Sequence, residues 1–120
     1  MYNAIFYTDV HGNSPVKALI NSLDLSAQTN KKDKLKLNKV IRFIDYLELF
    51  GTRGSDKVIE HIQGKIWQIR PGGIRIFLFH WKDDKFVLLH SFDKKTQKTP
   101  VREIDRAIRE MNDWISRYGH

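Results

Sequence analysis

The sequence predicts an α+β domain: an antiparallel sheet of about four to five strands with two N-terminal helices and one C-terminal helix. Three observations lead there. Two long segments repeat their apolar residues at helical spacing. Four consecutive shorter segments, VIEHI, KIWQIR, IRIFLFHW and FVLLHSF, are rich in β-branched and aromatic residues and are separated by turn signals. The chain has 120 residues, 41% of them hydrophobic, enough to bury one core without cross-links. Residues 1–120 therefore read as a single domain, with no repeat, low-complexity tract or linker to divide them.

The elements follow in order. NAIFYT, residues 3–8, reads as a short strand. Asn13 or Ser14 is a capping residue before Pro15, and Val16, Leu19, Ile20 and Leu23 then recur at helical spacing. Thr29 or Asn30 starts a second helix with the stripe Leu37, Val40, Ile41, Ile44 and Leu47, and Gly51 stops it. Gln63-Gly64, Pro71-Gly72-Gly73 and Lys82–Lys85 join the four following segments into an antiparallel meander. Thr99 is the expected N-cap of a last helix after Pro100. Its stripe is Val101, Ile104, Ile108, Met111, Ile115 and Tyr118, thickened by Ala107 and Trp114.

Composition narrows the chemistry. The chain has no cysteine, which excludes disulfides, thiolate metal sites and thiol nucleophiles. No apolar run approaches a membrane span, and the N-terminus lacks the basic start and cleavage site of a signal peptide. A cytoplasmic protein with no membrane partner is expected. The formal net charge is +7 and the sequence pI is about 9.7, which favours a polyanionic partner. The charge is concentrated in Lys31–Arg42 and again in Lys94–Arg109.

Hairpin arithmetic gathers part of that charge. With Lys82–Lys85 as a loop, Trp81 faces Phe86, Phe77 faces His90 and Arg75 falls opposite Phe92. With Pro71–Ile74 as the preceding loop, Arg70 falls opposite Arg75. Arg70, Arg75, Lys94, Lys95 and Lys98 then share one end of the sheet, where their repulsion would be relieved by an anion. Arginine grips phosphate through a fork and lysine acts as a point charge. The plain structural alternative is that these are solvated residues at strand ends.

No P-loop, GxGxxG, HExxH or metal-like histidine cluster is present, so neither metal nor cofactor is expected. His11, His61, His80, His90 and His120 are scattered and read as packed or surface residues. His90 is the exception worth keeping, because its strand leads into the basic stretch. Glu60 reads as a lone strand acid without a partner. A cation-rich site of this kind suits RNA cleavage, in which the ribose 2′-OH supplies the nucleophile and the protein stabilises charge on phosphorus.

The runs KIWQIRPGGIRIFLFHW and VLLHSFDKKTQKTPVREIDRA resemble the RelE-type toxins of type II toxin–antitoxin systems. They look closest to the phage-derived HigB branch. The resemblance implies a RelE-like fold and a ribosome-dependent endoribonuclease that cleaves messenger RNA and arrests translation. It implies Arg70, Arg75, Lys94 and Lys95 as the catalytic set. Lys65, Gln68, His90, Gln97 and Lys98 are the candidate RNA-binding residues. It also implies a helix-turn-helix, HigA-like antitoxin in a hetero-oligomer. The pattern departs from RelE at Ile66 and Gln68, where that strand carries lysines, and at Val101, where a tyrosine is found. Two other readings stay open: a ParE-like gyrase inhibitor, and a non-catalytic module that binds nucleic acid or protein. The lysines of Lys31–Arg42 read as a solvated helix face, or as a face laid against ribosomal RNA.

Overall fold

A computed structural model describes residues 1–95 and 97–120. The elements run β1 (Asn3–Phe6), α1 (Pro15–Ser26), α2 (Lys31–Phe50), a 3₁₀ turn (Gly51–Arg53), β2 (Ile59–Gln63), β3 (Ile66–Ile69), β4 (Ile74–His80), β5 (Lys85–Asp93) and α3 (Val101–Tyr118). The sheet order is β1-β5-β4-β3-β2. The expected meander forms β2 to β5, with every adjacent pair antiparallel.

The sheet is mixed, however, not wholly antiparallel. A strand precedes both N-terminal helices, and β1 pairs with β5 in parallel, in register Asn3↔Lys85 to Phe6↔Leu88. The two N-terminal helices carry the chain from this edge across the sheet to β2 at the other edge, a crossover that leaves β1 parallel to its neighbour.

The helices cover both faces. On one side Val16 and Leu23 of α1 and Leu37, Val40 and Leu47 of α2 pack on Ile69, Ile76, Leu78 and Leu88. On the other, Ala107 and Trp114 of α3 pack on Ile66, Phe77, Phe79, Val87 and Leu89. This explains the apolar run of β4. It is a central strand, and six of its seven residues, Ile74 to Phe79, are buried.

Local signals fix the helix ends unevenly. Asn30 caps α2 through its side chain, which accepts from the N–H groups of Lys32 and Asp33. Ser14 holds the N-cap position of α1, but its hydroxyl caps nothing, and Pro15 opens the helix instead. The expected cap at Thr99 is not used. Pro100 is the N-cap of α3, with extended backbone and no side-chain hydrogen bond. The stripe of α3 is also narrower than its sequence suggests. Val101 and Tyr118 are exposed, and the buried centre is Ala107, Glu110 and Trp114.

A β-bulge corrects the hairpin arithmetic in part. Arg75↔Phe92 and Phe77↔His90 pair as expected, but Leu78 pairs with Leu88, so Leu89 is an extra residue. Phe86 therefore faces His80, not Trp81. The bulge lets two consecutive residues serve the α3 side: Leu89 joins its apolar cluster and His90 meets its carboxylates.

Candidate functional site

Arg75 opens β4 at the end of the sheet that also holds the β3–β4 turn. Its Nη1 donates to the carbonyls of Gly72 at 2.6 Å and Ile74 at 3.0 Å. Gly72 adopts φ +66°, a conformation natural to glycine, and this bends the turn so that its carbonyl meets the arginine. Arg75 is 9% exposed, and its Nε has no hydrogen-bond partner among the described residues. Burial, and then the neighbouring positive charge of Arg70, hold its pKa below the ordinary arginine value.

Arg70 lies just past β3, where its N–H donates to Val58 O and its Nη1 to Asp56 O at 3.2 Å. The same guanidinium stands 3.7 Å from Glu60 Oε2. Glu60 thus has two partners where the sequence suggested none. Its other oxygen accepts from Gln68 Nε2 at 2.9 Å, directly across the β2–β3 ladder. A register shift between His61 and Gln63 sets this pairing; the Gln63-Gly64 turn taken alone places Glu60 opposite Trp67, which is why the sequence did not reveal its partner. Gln68 is wholly buried and its Oε1 has no partner among the described residues. Two arginines, one carboxylate and two polar atoms that have no partner among the described residues therefore meet at one sheet end.

The basic segment after β5 divides between the two faces. Lys94 is tied to the turn by its N–H, which donates to Gly73 O at 2.9 Å. It lines a groove with α2 residues, on the face away from α3. Lys95, Lys98 and Arg102 line an open cavity of about 680 Å³ on the α3 side, whose acidic members are Asp93 and Glu103. The expected gathering of Arg70, Arg75, Lys94 and Lys95 at one end thus holds, but the two lysines do not form one wall. Gln97 is exposed in the same segment.

Three candidate RNA-contacting residues are not presented beside the arginines: one lies elsewhere and two are buried. Lys65 sits at the opposite end of the sheet, beside His80, Trp81 and His120. Gln68 is inside the sheet, bound to Glu60. His90 is fully buried, with Nδ1 2.5 Å from Glu110 Oε1 and Nε2 3.1 Å from Glu103 Oε1. A side chain closed on both nitrogens reaches no RNA, so His90 is a structural tie between β5 and α3. Of the positions where RelE differs, Ile66 is buried and Val101 exposed. Among the described residues no group of three or more His, Asp or Glu side chains is arranged to hold a metal ion.

The result is a small α+β domain with helices on both faces of its sheet and a cationic, partly unsatisfied polar site at one sheet end. The phage-derived Gp49-like protein family (DUF891) matches residues 24–112, from the end of α1 through most of α3, and the chain belongs to that family. A search of curated proteins found no match. Among the described residues no helix is long and apolar enough to cross a membrane.

Proposed function

We propose that this protein is the toxin of a type II toxin–antitoxin system, a ribosome-dependent endoribonuclease that cleaves messenger RNA and arrests translation. The Gp49-like family is associated with RelE-like toxins, which supports the class. The observation that carries the activity is Arg75: a buried guanidinium, tethered by one nitrogen, short of a partner at Nε among the described residues, and pressed by the charge of Arg70. A phosphate bound there would supply the missing acceptor and offset both positive charges.

In this reading the ribose 2′-oxygen attacks the adjacent phosphorus and the bond from phosphorus to the 5′-oxygen breaks, leaving a cyclic phosphate. Arg75 and Arg70 stabilise the charge that builds on the phosphoryl oxygens. Glu60 is the carboxylate beside them and takes the 2′-proton. Lys95 gives a proton to the departing 5′-oxygen. Gln97 and Lys98 hold the backbone of the strand, and Lys94, on the other face of the sheet, stands outside this site. A helix-turn-helix antitoxin of HigA type is the neutralising partner, and the cytoplasm is the site of action.

The test is cleavage of a defined messenger RNA on programmed ribosomes by wild type and Arg75→Ala, with folding checked by circular dichroism. Ribosome-dependent cuts by wild type and none by the folded variant are expected. A folded wild type that makes no cuts overturns the nuclease reading. In that case supercoiling by DNA gyrase is the next assay, because the gyrase-inhibitor reading predicts its loss.

A further inference from the structure

Helix α2 carries apolar side chains beyond those it turns to the core. Leu35 is 66% exposed and Ile41 is exposed as well, although Leu37, Val40 and Leu47 already fill the inward face. Leu35 borders two adjoining depressions. One, of about 340 Å³, lies between α2 and the β3–β4 turn and is lined by Lys36, Lys39, Pro71, Gly73 and Ile74 among others. The next continues along the helix past Asn38 and Ile41 to Arg42. Together they make a groove with an apolar floor.

Its rim is positive and poorly compensated. From Lys31 to Arg42 the helix carries six basic residues and one acid, Asp33, and three of the six, Lys36, Lys39 and Arg42, line the groove. Among the described residues, Lys36 alone of the six has a carboxylate within 4.0 Å, Asp33 at 3.9 Å. Lys94 adds a further cation at the turn.

We propose that this groove docks an acidic amphipathic segment of a partner protein. Glutamate and aspartate side chains of such a segment pair with the rim, and its apolar side chains cover Leu35 and Ile41. A nucleic-acid strand would satisfy the lysines but give the exposed leucine and isoleucine nothing to bury against, so the apolar floor favours protein. The docked segment lies against Pro71–Ile74, the turn whose Gly72 carbonyl holds Arg75. It therefore bears on the arginine from the far face of the sheet without entering the site. That last coupling rests on the proposed role of Arg75; the docking itself does not.

The experiment is selection of helical peptides from a display library against the folded domain. Affinities of the enriched peptides are then measured for wild type, Leu35→Ala and the charge reversal Lys36→Glu/Lys39→Glu. Leu35 and Lys36 are exposed and Lys39 is half-buried, so folding of each variant is checked by circular dichroism before binding is compared. Enriched peptides should carry acids on one face and leucine, isoleucine or phenylalanine on the other. Both variants should bind them at least about tenfold more weakly. Enrichment without acids, or binding indifferent to Leu35→Ala, overturns the proposal. So does a single-stranded RNA oligonucleotide that competes with the peptides and depends on the lysines but not on Leu35, which would make this face a nucleic-acid surface. None of these outcomes depends on whether the protein cleaves RNA.

Discussion

His90 Nδ1 lies 2.5 Å from Glu110 Oε1, joining a wholly buried strand residue to the middle of α3. Its other nitrogen meets Glu103, in the first turn of the same helix, and Arg106 backs Glu110 at 3.2 Å. The basic segment Lys94–Lys98 runs between these anchored elements, so the tie also sets where that segment begins and ends.

His90→Phe would fill the space and leave Glu110 buried opposite an apolar ring. Removing the imidazole leaves Glu110 Oε1 short of a hydrogen bond in a buried place, which costs about 1–3 kcal/mol, while Arg106 still holds the other oxygen. The variant should unfold at clearly lower urea, and its cleavage should be restored at concentrations where it remains folded. If the folded variant is fully inactive, His90 has a role beyond the tie.

Arg75→Lys keeps the charge and loses the fork. Hydrogen bonds of a charged group such as the two to turn carbonyls are worth about 1.5–3 kcal/mol each, so the variant should unfold at lower urea, and cleavage is compared where both proteins are folded. Ribosome-dependent cleavage should fall about 100-fold or more, the scale seen when one electrostatic donor to a transition state is removed. Near-normal cleavage by the lysine variant would show that charge alone suffices at this position.

Tyr7 and Asp113 give a pH signature. Tyr7 donates to Asp113 Oδ2 at 2.7 Å, and Arg117 donates to the same oxygen at 2.8 Å. The bond from Arg117, then that from Tyr7, hold the Asp113 carboxyl below its ordinary value of 3.8. A lowered folded-state value contributes stability above the unfolded value, and this is lost as pH falls through the folded one. Burial, then Asp113, raises the Tyr7 hydroxyl above its ordinary value of 10.0. That contribution is complete below the unfolded value and is lost as pH rises toward the folded one. Urea midpoints should fall below about pH 4 and above about pH 10. Asp113→Asn should flatten the acid limb, and Tyr7→Phe the alkaline one.

The core of α3 is best probed at Ala107. It is wholly buried, whereas Ile108 is half-buried at the margin of the same cluster. Ala107→Asp should abolish the cooperative unfolding transition by burying an unpaired charge, and Ile108→Asp should weaken it less. Equal loss in both would mean that the two positions are sealed alike.

By itself the sequence determined the element order, a cap for α2 at Thr29 or Asn30, the meander and the charged sheet end. Each rests on local rules: spacing of apolar residues, turn chemistry and the alternation of strand side chains. The pairing of Arg75 with Phe92 agrees with the hairpin arithmetic because the Leu89 bulge offsets a one-residue shift next to the turn. The tertiary structure decided what depends on distant contacts. The parallel β1–β5 pair joins residues far apart in sequence, and the Leu89 bulge answers to packing against α3 as well as to the turn. Burial of His90 and the separation of Lys94 from Lys95 follow from where α2 and α3 settle on opposite faces. No local pattern encodes those positions, because they are set by how two apolar helix faces and a two-sided sheet exclude water together.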